Sequence, residues 1–187
     1  MKDSSLGVLL DANVLYSGYL RDLLLTTARM GIFYPRWSEE INREWSENLL
    51  KNRPDLSRAA VERTINTINR VFRDANVANW EPLISNFQLP DPNDRHVLAA
   101  AVQSDADILL TFNRKDFPRT AMTYLSLEVM SPNEFFRFLK ERFPADLDDA
   151  FEKLLHRFKH PPLTHSELVQ VLHRAGFTTA SEIFSGT

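Results

Sequence analysis

"LPDPNDRHVLAAAVQSDADILLTFN", Leu89–Asn113, reads as a helix feeding a buried strand. Two prolines and three polar groups, Asp91, Asn93 and Asp94, stand just before an apolar, alanine-rich run that predicts a helix to about Ser104. One acidic or amide side chain is enough to cap a helix, so three raise the question of a second use. "ADILLTFN" is then a short continuous apolar run ending at Thr111 and Asn113, the pattern of a strand covered on both faces.

The same alternation extends in both directions. "GVLLDANVLYS" is another short apolar run, with Asp11 and Asn13 at its far end. "YLRDLLLTTARMG" has helical spacing and stops at Gly31, a residue suited to a helix C-terminus. "IFYP" is a candidate second strand. Ser38 opens "SEEINREWSENLLKN", in which Ile41, Trp45 and Leu49 recur every four residues and acids crowd the first turn. Pro54-Asp55 is expected to start a further helix, with Val61, Ile65, Ile68 and Phe72 along one face, and "ANVANW" is a weak strand candidate. "TYLSLEVMS" gives one more strand, and "PNEFFRFLKERF" a helix with Pro132 near its start. Strands alternating with helices predict an α/β domain with a mostly parallel central sheet.

After Pro144 the pattern becomes helical only: "ADLDDAFEKLLHRFKH", "THSELVQVLHRAG" and "TTASEIF". The expected division is a main domain over 1–143 and a helical extension over 144–187. The extension is too small to bury a core alone and should pack on the main domain or on a partner.

Composition narrows the chemistry. The chain has 187 residues and a net charge of −3, which excludes a strongly basic, histone-like binder but not a local basic face. With no cysteine there is no disulfide, zinc–thiolate site or thiol nucleophile. The start "MKDSSLGVLLDANVL" lacks the regions of a signal peptide, and no apolar run nears the roughly 20 residues that span a bilayer. The expected location is the cytoplasm.

Ligands of a parallel sheet bind beyond the carboxyl ends of its strands. Asp11, Thr111, Asn113 and Asp116 follow two predicted strands there, and Asp94 and Glu44 lie on helices near the same edge. Carboxylates so gathered repel one another unless a divalent cation neutralises them, and oxygen-only ligation points to magnesium or manganese. Phosphodiester hydrolysis is the natural reaction of such a site. No phosphate-binding glycine loop, nucleophile elbow, zinc-protease helix or dinucleotide fingerprint competes with this reading.

Four pieces in order carry a family likeness. "LLDANVL", "SEEINREWSENL", "PDPNDRHVLAAAV" and "ADILLTFNRKDFP" resemble the motifs of PIN-domain proteins, and specifically of VapC-type toxin ribonucleases. The likeness runs from about Val8 to Leu139, and the tail resembles an extension of some of these toxins. It implies a three-layer α/β/α fold and a metal-dependent endoribonuclease that cuts RNA. It also implies a small antitoxin protein that occludes the site, and a family in which homodimers are frequent. Asp11, Glu44, Asp94 and Asp116 would be the catalytic acids. Asp11, Asp94 and Asp116 would hold the metal, with Asp91 a further candidate. Asn13, Thr111 and Asn113 would orient carboxylates or water.

Some residues also have simpler uses. Glu39 and Glu40 suit the helix dipole, and the spacing after Ser38 favours Glu44 over Glu40 as the helical acid. Asp94 is expected to cap its helix as well as serve a metal, and Asp91 to shape the turn. Asn93 stands where some relatives carry an acid. Arg43, Arg53, Arg58 and His96 are candidate RNA contacts, although exposed, salt-bridged arginines explain the first three equally well. His156 and His160, one helical turn apart, read as an exposed face. The competing readings are a non-catalytic PIN-like RNA-binding or scaffold protein and a phospho-acceptor domain. The latter lacks its lysine after the last strand, and Asp3 is too far upstream to serve it.

Overall fold

A computed structural model describes residues 6–184. Asp3 and the first residues of the leader reading lie outside them. The elements are β1 (Gly7–Leu10), α1 (Ala12–Leu15), α2 (Gly18–Arg29), β2 (Tyr34–Arg36), α3 (Glu39–Asn52), α4 (Arg58–Val71), α5 (Arg95–Gln103), β3 (Ile108–Leu110), β4 (Glu128–Met130), α6 (Pro132–Arg142), α7 (Pro144–Leu155), α8 (His165–Arg174) and α9 (Ala180–Phe184). The four strands form one parallel sheet in the order β2-β1-β3-β4.

That order dictates the layers. The chain moves from β1 to β2 in one direction and from β2 back across β1 to β3 in the other. Right-handed crossovers therefore place α2 on one face and α5 on the opposite face. On its face, α5 packs on β1 and β3, while α2 packs against β2 and α6 against β4, with α7 against both α2 and α6. The fold is a three-layer α/β/α domain with a parallel sheet and added C-terminal helices. Val8, Leu9 and Leu10 of β1, and Leu109 and Leu110 of β3, are fully buried, as two covered faces require. Ala99, Ala100 and Ala101 of α5 are also fully buried, and their small side chains let the helix press closely on the sheet.

Local signals explain most boundaries. Ser38 accepts from the Ile41 amide and starts α3, Ser57 from Ala60 and starts α4, and Ser131 forms a capping box with Glu134 ahead of Pro132 in α6. Gly31, at φ +75°, follows the end of α2. Three expectations need correction. The second strand begins at Tyr34, so Ile32 and Phe33 are buried residues leading into it. Pro54-Asp55 does not start a helix, because Arg53 and Asp55 pair across that turn and the Ser57 cap sets the start at Arg58. "ANVANW" makes only an isolated bridge from Asn76 to Trp37, and Asn79 at φ 61° breaks the extended path.

The C-terminal helices close over α2 and α6. Phe136 stacks on Phe177 at 4.5 Å, and Phe151 on Phe184 at 4.3 Å. Arg137 makes a two-bond pair with Glu182, and Asn133 accepts from the Thr179 amide at 3.0 Å. Among the described residues no helix is long and apolar enough to cross a membrane.

Candidate active site

The strand order changes direction between β1 and β3, so a crevice opens beyond their carboxyl ends. The register pairs Leu10 with Leu110, which puts Asp11 and Thr111 side by side at the next position. Thr111 is fully buried, and its hydroxyl donates to Asp11 Oδ2 at 2.7 Å. Asn13 Nδ2 donates to the same oxygen at 2.6 Å, while the Ala12 amide donates to Asp11 Oδ1 at 2.7 Å. Asn13 Oδ1 accepts from the Phe112 amide at 3.0 Å, and Thr111 Oγ1 accepts from the Asn113 amide at 3.0 Å. The Asp11 carboxylate thus keeps one orientation at 6% exposure. Burial raises its pKa against the pull of these donors, and Asp116 adds to the rise.

Asp94 and Glu44 approach from the helical layers. A cavity of about 370 Å³ is lined by Asp11, Asn13, Glu44, Asp94 and Asn113, together with Tyr16, Asn48 and Asn52. Asp94 does not cap α5 with its side chain, contrary to expectation. Asp91 forms the cap of the preceding turn, accepting from the Asn93 amide at 2.8 Å. Asp94 is therefore free of that duty, and its Oδ2 is buried with no hydrogen-bond partner among the described residues. Burial, then repulsion from Asp11, Asp91 and Asp116, pushes its pKa up to about 6. Glu44 rises to about 7 through burial, then Asp11, Asp94 and Glu40, with Arg43 opposing.

The remaining candidates are distributed around this pocket. Asn113 Nδ2 donates to Asp116 Oδ2, which ties Asp116 to the strand end, although Asp116 does not line the cavity. His96 is largely covered. Its ring lies against Trp80, and its Nε2 is 3.6 Å from Glu44 Oε2. Of the arginines, Arg43 pairs with Glu40, Arg53 with Asp55, and Arg58 is exposed at the start of α4. His156 lies exposed near its own helix's Glu152. Tyr16, Asn48 and Asn52 were missed. Asn48 and Asn52 follow Glu44 at four-residue steps, which puts all three on one face of a helix. That spacing was the available signal.

The donors here are oxygen atoms, and one buried carboxylate oxygen is without a partner. That chemistry fits a hard divalent cation. Among the described residues no three His, Cys, Asp or Glu side chains stand close enough to share one ion. Magnesium keeps several waters and takes only one or two carboxylates directly, so the fit does not need three.

Residues 7–115, more than half of the chain, match the PIN domain family. The chain is a PIN-domain protein. The PIN match takes in Asp11, Glu44, Asp94, Thr111 and Asn113 and ends one residue before Asp116. The chain is also similar to "Putative ribonuclease VapC50" of Mycobacterium tuberculosis, at 29% identity over 79 residues. That alignment covers 42% of this PIN protein and 47% of the relative, about half the relative's length. No solved structure matches the chain.

Proposed function

We propose that the chain is a divalent-metal-dependent endoribonuclease, acting as the toxin of a VapBC-type toxin–antitoxin pair. The observation that carries this reading is the convergence of Asp11, Glu44 and Asp94 on one cavity, with Asp94 Oδ2 unpartnered. Carboxylates held this close are hard to keep ionised, and a cation relieves them. PIN-family membership and the ribonuclease named among its relatives support the substrate class. The four VapC-like motifs support the toxin assignment.

Asp11 and Asp94 would hold magnesium or manganese directly and Asp116 through the ion's waters, with Asp91 within electrostatic reach of Asp94. The cation, when bound, would offset charge on the phosphate and make an attacking water more acidic. Asp11, braced by Thr111, Asn13 and the Ala12 amide, keeps a fixed direction as substrate arrives. Glu44 lines the same cavity and can take a proton from water there. Asn113 anchors Asp116. In this reading residues 1–143 are the nuclease unit and 144–187 its brace. An antitoxin, a homodimer and cytoplasmic action follow from the same resemblance.

Purified protein should cut single-stranded RNA with magnesium or manganese. Excess EDTA, Asp11→Asn and Asp94→Asn should each abolish cutting, and induced expression should arrest growth. Undiminished cleavage in EDTA would refute the metal mechanism. RNA binding without any cleavage would instead support a non-catalytic PIN protein.

A further inference from the structure

A second cavity, of about 660 Å³, opens beside the acidic one and shares Asn13 and Tyr16 with it. Tyr16, Tyr19 and Phe112 line it from the main domain, and Phe158 and Arg174 from the C-terminal region. The rings of Tyr19 and Phe158 lie 5.5 Å apart. The extension thus forms one wall of the groove, opposite the start of α2.

Its polar groups are mostly donors. Arg21 lines the groove at 8% exposure. Its Nη1 donates to the Leu15 carbonyl at 2.7 Å, and its guanidinium lies 4.6 Å from the Trp45 ring centre. Its Nε is buried with no hydrogen-bond partner among the described residues. Ser17, Gly18 and Tyr19, at the start of α2, line the same groove, and the Ser17 side chain makes no cap bond. The first-turn amides of this twelve-residue helix thus receive no cap bond from Ser17. Arg53 also lines the groove, and Asp22 is its one carboxylate among the described residues.

We infer that this groove holds a nucleotide of single-stranded RNA beside the scissile bond. Its base stacks on the aromatic wall, and its phosphate turns toward Arg21 and the α2 N-terminus. Base stacking on aromatic rings and phosphate binding at a helix N-terminus with a guanidinium each match one half of the lining. An apolar peptide side chain would use the aromatic half but leave the donors unanswered. Continuity through Asn13 and Tyr16 sets the occupant next to the acidic cavity. The inference rests on reading that cavity as the cleavage site. It makes the extension a determinant of which base flanks the cut.

The test uses the full chain carrying Asp11→Asn, so that RNA is bound and not cut. Affinity for a short fluorescein-labelled single-stranded RNA is read by anisotropy, and iodouridine RNA is photo-crosslinked and mapped. Tyr19→Leu and Arg174→Glu alter exposed positions and should each weaken binding about tenfold. Arg29→Glu, at the opposite end of α2, should leave it unchanged. Crosslinks should fall on Tyr16, Tyr19 or Phe158. Unchanged affinity with crosslinks elsewhere would overturn the inference. So would variants that keep RNA affinity but lose a protein that co-purifies with the unaltered chain. If the unaltered chain cuts no RNA yet crosslinks in the groove, the nuclease reading fails and the assignment of the groove to RNA stands. If it cuts RNA with metal while the groove variants bind and cut as it does, the subsite alone fails.

Discussion

Asp94 and Thr111 have opposite relations to Asp11, and each supports a prediction. Asp94 repels it. The pKa of Asp94 is raised from 3.8 to about 6 and that of Glu44 from 4.5 to about 7. Both groups bind a proton more tightly folded than unfolded, so their protonated forms favour folding. That contribution is complete below the unfolded values and is lost as pH climbs through the folded ones. The melting temperature of metal-free protein should therefore fall from about pH 4 to about pH 7. Magnesium or manganese should flatten the fall. Asp94→Asn should raise the metal-free melting temperature at the upper end while removing activity. Scanning fluorimetry across that range measures both, and a flat or rising metal-free curve would count against repulsion at the site. Thr111 supports Asp11 by donating to Oδ2. Thr111→Val keeps the shape but leaves a buried carboxylate short of a donor. It should cost about 1–3 kcal/mol in urea unfolding and about 10–100-fold in metal affinity or cleavage.

At the scale of the element, α3 shows how a helix can serve core and site together. Ile41 and Trp45 point into the core, while Glu44, Asn48 and Asn52 border the acidic cavity. The Ser38 cap fixes where the helix starts and hence which face each residue takes. Ser38→Ala should cost about 1 kcal/mol of stability. It should change cleavage far less than Glu44→Gln, which should lower it by about 100-fold or more. Denaturant unfolding and steady-state kinetics separate the two effects. This helix was readable because its cap, its acid-rich first turn and its four-residue apolar repeat all lie within one short stretch. Asp11, Thr111 and Asn113 were readable because each closely follows a short apolar run. What escaped depends on groups distant in sequence. "ANVANW" has strand-forming residues, but only the bridge to Trp37 decides how far it pairs. The free carboxylate of Asp94 follows from Asp91 taking the turn, a choice that two acids in one loop do not reveal. Tyr16 meets the cavity because Asn52, 36 positions away, donates to its hydroxyl.

At the scale of the whole molecule, the helical extension bears on the segment that follows β3 and carries Thr111. Gly176 follows α8 at φ +94°, a conformation that favours glycine, and Asn133 of α6 donates to its carbonyl at 3.2 Å. A Cβ at Gly176 would stand 2.9 Å from Cε1 of Phe112. Phe112 is the residue after Thr111, and its amide holds Asn13. Gly176→Ala therefore has two separable costs, backbone strain and pressure on the Phe112 ring. Together they should destabilise the protein by about 1–3 kcal/mol. The pressure should also disturb Asn13 and weaken metal binding, whereas strain confined to the α8 end should not. Adding Phe112→Leu makes room for the new methyl group. If ring pressure matters, the double variant should bind metal as Phe112→Leu alone does, undoing the loss seen in Gly176→Ala, while keeping most of the stability loss from φ. Calorimetric titration with manganese and urea unfolding of all four proteins measure the two costs independently. Equal metal affinity throughout the cycle would mean that the extension braces the fold without reaching the site.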